Sequence, residues 1–172
     1  TGDNDKYLRL IWEISEKKCG INKKWVKHPK GGSFRKWYGN LDTVIDWSEE
    51  ARLHYRTDHV ARILPEYLWW RRGFCWTLIT SSKQSFRLVN EDEIFNLAAP
   101  TLFPKDDKDL YLLLGLVNTK ISNYITSMMN PTLNMNVGEI QAIPVVDIQN
   151  IGNTIERLIK SSKYDWDSYE TS

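Results

Sequence analysis

A chain of 172 residues that is 41% hydrophobic, with a formal net charge of +1, is long enough to bury a core and too apolar to stay disordered. It suits one domain, or one domain with an appendage. No stretch approaches the roughly 18 uninterrupted apolar residues of a membrane span, and the opening TGDNDKYLRL has neither the cationic lead nor the apolar run of a signal peptide, so a soluble, cytoplasmic protein is expected.

Taken in chain order, Tyr7, Leu8, Ile11, Trp12 and Ile14 recur near helical spacing and predict a helix over residues 4 to 18, capped by Asp3 or Asn4. A cationic loop follows. Gly31 and Gly32 break structure, and Phe34 to Tyr38 and Val44 to Trp47 read as short strands parted by a Gly39–Asn40 turn. Ser48 followed by Glu49 and Glu50 predicts a capped helix. Pro65 interrupts the chain, and FCWTLIT (74 to 80) and SFRLV (85 to 89), joined by the polar SSKQ, predict a hairpin. EIFNLAAPTLF reads as another extended piece and PKDDKD as a polar break. A long amphipathic helix is expected over residues 109 to 128 and a final one over 147 to 162, with Pro131, Gly138 and Pro144 punctuating the stretch between them. Trp12, Trp47 and Trp76 are expected in the core. Cys19 and Cys75 stand outside any CxxC pair and are expected to be reduced, structural thiols.

The near-zero net charge hides an asymmetry. Residues 17 to 87 hold 15 cations against 6 acids, and residues 88 to 172 hold 6 against 12. Lys17 to Leu41 alone carries eight cations and no acid. Such a block is either a solvated face or the electrostatic footprint of a polyanion.

Templates for catalysis are missing: no Walker A sequence, G-x-S-x-G elbow, HExxH or dinucleotide fingerprint occurs. His28, His54 and His59 do not have the helix spacing of metal ligands, so no metal site and no catalytic residue is expected. Asp106, Asp107 and Lys108 imitate the end of a magnesium nuclease site, but helix capping and solvation explain them better.

Charge, planarity and backbone access coincide instead in HPKGGSFRKWYGN (28 to 40), which joins Lys30, Arg35 and Lys36 to Gly31, Gly32, Trp37 and Tyr38 and ends in Asn40. The cations can neutralise phosphates and the glycines let a backbone approach closely. In an extended segment Trp37 and Tyr38 point to opposite faces, so only one of them is expected in the core. LWWRRGFCW repeats the combination with Arg71 and Arg72, and SSKQSFR adds Ser82, Lys83, Gln84 and Arg87. Arg and Gln can read guanine and adenine edges by paired hydrogen bonds.

In order, TGDNDKYLRLIWEI, HPKGGSFRKWYGNLDTVIDW, FCWTLITSSKQSFRL, YLLLGLVNTKI and NPTLNMNVGEIQAIPV resemble the C-terminal part of large adenine-specific DNA methyltransferases of the phage-defence BREX system, the PglX type. They are also similar to related single-chain type IIG restriction-modification enzymes. The likeness covers nearly the whole chain. It implies a bacterial target recognition domain: an α/β (α+β) fold with a small central mixed or antiparallel sheet, flanking helices and a C-terminal helical part. Residues 1 to 108 would be the recognition core and 109 to 172 the helical part that packs on it and joins the rest of the parent enzyme. The partner implied is double-stranded DNA, with other defence-system proteins as a further class.

In such enzymes the catalytic domain lies upstream, with a glycine-rich S-adenosylmethionine motif and an Asn/Asp-Pro-Pro-Tyr/Phe motif. Neither is in this sequence, and Asn130 to Thr132 reads as a helix terminator. S-adenosylmethionine is therefore expected for the parent and no cofactor for this fragment, which alone should methylate nothing. The TGDN start and DWDSYETS end look cut from something longer. In this reading Lys30, Arg35, Lys36, Arg71 and Arg72 hold phosphates, while loops around Asn40 and residues 81 to 87 reach base edges. The resemblance leaves open the recognised sequence and whether the parent also cleaves DNA. A protein-interaction module with incidental DNA affinity stands as the alternative.

Overall fold

Strand pairing, not helix, takes the first apolar residues. In the structure, a computed structural model that describes residues 3–61, 63–130, 132–146, 148 and 150–169, the helix expected over residues 4 to 18 is one turn long, α1 (Asn4–Tyr7). The chain then extends as β1 (Leu8–Leu10) and breaks into 3-10 turns at Ile11–Glu13 and Glu16–Lys18. The reason is tertiary: Leu8 and Leu10 pair with Ile45 and Thr43 of β3 (Thr43–Asp46), and a ladder with a buried neighbour outweighs a marginal helix propensity. Trp12, expected in the core, is 50% exposed as a result, whereas Trp47 and Trp76 are buried.

The first sheet runs β1-β3-β2, with β2 (Trp25–Lys27) on the other side of β3 and both pairings antiparallel. The second runs β5-β4-β6, and here the expected hairpin forms: β4 (Gly73–Trp76) pairs antiparallel with β5 (Phe86–Val89) in the register Trp76↔Phe86. Of EIFNLAAPTLF only β6 (Thr101–Leu102) is strand, on the far edge of β4. The architecture is thus the expected mixture of α and β, but with two small antiparallel sheets in place of one.

Two stitches join them to the loops. Ile94 N–H donates to the Lys27 carbonyl at 2.9 Å, extending the first sheet. Trp37 donates to Phe86 O at 2.8 Å and accepts from Leu88 N–H at 2.9 Å, so the basic loop runs along β5. Trp37 does this at φ 74° and leans on the helix-side core, while Tyr38 packs with Leu41 and Trp166. Both rings of the pair therefore find apolar neighbours, because the left-handed turn at Trp37 replaces the extended geometry that would have separated them.

Ser48 caps α2 (Glu49–Thr57) as expected, its hydroxyl accepting from Ala51 N–H. Tyr55 and Ala51 from that helix close the first core with Tyr7, Val26, Ile45 and Trp47. The larger core lies on one face of the second sheet, where Phe74, Trp76, Phe86 and Leu88 meet Leu110 and Leu114 of α3 (Leu110–Val117) and Ile155 and Ile159 of α6 (Ile151–Asp167). Each large apolar side chain so buried contributes about 1.5–3 kcal/mol.

The long helix expected over 109 to 128 is two helices. After α3 the chain turns at Asn118, and Thr119 caps α4 (Lys120–Met129) by accepting from Ser122 N–H. Asn130 ends α4, and its side chain accepts from Thr132 N–H, the terminator role read for it. Asp106 accepts from Lys108 N–H at the start of a 3-10 turn, which accounts for the Asp-Asp-Lys run. The short α5 (Val137–Gln141) precedes α6. The expected start of the last helix at residue 147, and Pro131, lie outside the described residues. No described helix is long and apolar enough to cross a membrane.

Candidate nucleic-acid interface

The glycine pair of the basic loop lies against the protein's own backbone. A Cβ on Gly31 would stand 2.8 Å from the Ala98 carbonyl oxygen, and one on Gly32 2.8 Å from Asn40 Nδ2. Gly32 also exchanges two hydrogen bonds with the Thr77 hydroxyl, at 3.1 and 3.2 Å. Asn40, at φ 59° and buried, donates to Ser33 O at 3.0 Å and so closes the loop on itself.

Several of the cations are engaged inside the chain. Arg35 reaches Asp165 at 2.9 Å and lies over the Trp166 ring, 4.9 Å from its centroid. Arg71 donates to Pro104 O at 3.3 Å beside Phe103, and Arg72 to the Tyr111 hydroxyl at 3.2 Å. Arg87 is 1% exposed, and none of its guanidinium nitrogens has a hydrogen-bond partner among the described residues. Tyr38 is also interior, and burial pushes its phenol up, with Glu93 adding to the effect.

Lys30 stands at the wall of an apolar cavity of about 380 Å³ between the first sheet and the loops around residues 60 and 96. The one imidazole there, His28, is buried with its Nδ1 against Ile94 O and its Nε2 against Asn96 Nδ2. Burial lowers its pKa to about 4, so the ring is neutral and the cavity offers an anion little besides Lys30.

What remains of the expected site converges elsewhere. Lys36, Ser82, Lys83 and Gln84 line a groove of about 700 Å³ whose opposite wall is α4, contributing Lys120, Asn123, Tyr124 and Ser127. Phe34, Thr80 and Ser81 also line it, and among the described residues no carboxylate does. The lysines are close enough to feel one another. Burial lowers the Lys36 pKa, and Lys120 and Lys83 lower it further. A site that crowds cations is relieved by an anion between them.

The groove's geometry is held from behind by one amide. Asn118 accepts from Phe86 N–H at 3.1 Å and donates to Phe86 O at 3.0 Å, while its own carbonyl accepts from Lys36 Nζ at 2.7 Å. Lys120, Asn123, Tyr124 and Ser127 fall in the stretch that the sequence marks as a packing helix. The signal for them was present as polar residues three and four apart, which line one helical face. Among the described residues no cluster of metal-ligating side chains occurs.

No protein-family model matches the chain. It is 29% identical over 177 residues to the adenine-specific methyltransferase BrxX of Escherichia coli O9:H4 (strain HS), an alignment that takes in 99% of this chain and 14% of that protein. It is 26% identical over 189 residues to the adenine-specific methyltransferase PglX of Lacticaseibacillus casei (strain Zhang), covering 100% of this chain and 16% of the relative. The resemblance to PglX-type methyltransferases carried by the motifs is thus present along the whole chain, which spans about one seventh of the length of these curated relatives.

Proposed function

We propose that this chain is the DNA-recognition segment of a larger, site-specific adenine-N6 DNA methyltransferase of phage defence, positioning DNA for a catalytic domain elsewhere in the parent chain. The observation that carries the reading is the groove in which Lys36, Lys83 and Lys120 converge with no carboxylate among its described lining residues. Lysines there neutralise phosphates and release counterions, while the hydroxyls and amides between them supply hydrogen bonds to the backbone and bases. With the recognition core taken to end at residue 108, the groove would lie on the seam, two lysines coming from the core and the third from the helical part.

The groove does not suit the methyl donor itself. S-adenosylmethionine carries a cationic sulfonium, which three lysines repel, so the donor belongs to the rest of the parent and no step of the transfer is assigned to these residues.

The experiment is the salt dependence of binding to a mixed-sequence duplex, with Lys83→Ala/Lys120→Ala beside the unaltered chain. Affinity should fall steeply with salt, and the double variant should flatten the slope by about two phosphate contacts. Binding that ignores salt and the lysines would remove the reading. A second reading rests on Ile121, Tyr124 and Met128, which form a stripe on α4 at 71%, 67% and 68% exposure. Such a face suits another protein of the defence system, and binding that persists at high salt would favour it.

A further inference from the structure

We infer that the groove accepts a single unstacked nucleobase of DNA, read by the Gln84 amide on its floor, with the flanking phosphates on Lys36, Lys83 and Lys120. This rests on the DNA-binding reading and specifies the form of DNA that the groove takes.

Gln84 is only 8% exposed yet lines the groove. Its Oε1 is buried without a partner among the described residues, so it meets a ligand once the amide turns about its terminal bond toward the groove. A buried amide oxygen normally has its hydrogen bond made, so an idle acceptor beneath a groove calls for a ligand that supplies a donor. A nucleobase edge does so: an amide pairs with the amino group and ring nitrogen of adenine.

The backbone that carries the amide is pinned just after it, which keeps the amide at the depth of the groove. The next residue, Ser85, holds Arg35 N–H through its hydroxyl at 3.2 Å, and Phe86 beyond it is fixed on both backbone groups by Asn118. Paired bases show their edges at the bottom of a groove and are read by protein parts that project into it. A recessed reader needs a base that comes out of the stack. The walls suit such a base, because Phe34 and Tyr124, 49% and 67% exposed, offer ring faces from two different segments of the chain. The volume of about 700 Å³ lies in the range of sites that enclose small molecules. The adenine to be methylated has to sit in the catalytic part of the parent, so the base held here is a second one.

The test compares this chain's binding to a mixed-sequence single strand, to the same sequence fully paired, and to a duplex with one central mismatch, at one salt concentration. The single strand and the mismatched duplex should bind about tenfold tighter than the paired duplex. Gln84→Leu should erase that preference. Tyr124→Ala, at an exposed position that folding tolerates, should weaken single-strand binding about tenfold through lost stacking. Equal or tighter binding of the paired duplex, or a preference that survives both variants, would overturn the inference while leaving DNA binding intact. Salt-insensitive binding, or none, to all three probes would overturn it together with the reading it rests on.

Discussion

Arg35 is the most suggestive cation of the basic loop, yet its guanidinium is flanked by Asp165 and by the Trp166 and Tyr169 rings. Arg35→Ala should therefore act on stability, lowering it by about 1 kcal/mol through the lost stacking and a half-exposed ion pair. It should leave the salt slope of DNA binding unchanged. A urea titration and a salt titration of the same variant check both statements. The interior holds a second pair of interest. Burial pushes Glu93 up to about 7 and holds His28 down to about 4. Between the ordinary carboxylate value of 4.5 and about 7 the folded chain keeps a proton at Glu93 that the unfolded chain releases, so this group's contribution falls as pH rises. His28 works the other way. Below 6.5 the unfolded chain takes up a proton that the folded ring refuses until about 4, so its contribution falls as pH falls. The two slopes oppose each other in one window. Glu93→Gln should leave only the histidine's, making the variant more stable than the unaltered chain by about 3 kcal/mol near pH 8 and little different near pH 4.5. Urea unfolding at the two pH values measures it.

Among the elements, the break between α3 and α4 does more than shorten a helix. The sequence showed an apolar run and predicted one long helix. Asn118-Thr119 was a readable stop and restart, but an Asn inside such a run breaks a helix only when its amide has somewhere better to bond. Phe86 supplies that place, 32 residues away in sequence. Asn118→Ala would leave the Phe86 N–H buried and unpaired while its carbonyl keeps the Trp37 N–H, and should cost about 2 kcal/mol in urea unfolding. On the neighbouring turn, Gly115 lets α3 approach α6: a Cβ there would stand 2.9 Å from Ile155 Cδ1 and 3.2 Å from Ile151 Cδ1. Both are flexible side-chain ends. Gly115→Ala should therefore stay within about 1 kcal/mol, its gain in helix propensity offsetting a small shift, while Gly115→Leu should cost about 2–3 kcal/mol by overpacking. Thermal unfolding of the two variants separates them. The hairpin and the capped α2 were legible because their signals are local, in turn chemistry and a Ser cap. The N-terminal strand was not, because only its partner β3 makes it one.

Across the whole molecule, folding partly undoes the segregation of charge along the chain. Lys27 meets Asp92 at 3.1 Å, and Arg35 meets Asp165, so acids of the second half are folded back onto cations of the first. The linear excess of base therefore overstated the basic surface. The patch around Lys36, Lys83 and Lys120 draws one of its three members from the acid-rich half. Lys36, Ser82, Lys83 and Gln84 could be named from the sequence because cations and amides in a loop are conspicuous. Lys120 and Tyr124 could not, since their pertinence depends on how α4 stands across the groove. Ser82, Lys83, Lys120, Asn123, Tyr124 and Ser127 belong to none of the buried clusters that hold the fold together. These six groove side chains thus carry little of the stability, whereas Met135 lines the groove and also belongs to the larger core. Substitutions at these six positions can accumulate at little risk to folding, so that, on the proposed DNA-binding role, the groove is a place where a preferred site could be rewritten one residue at a time.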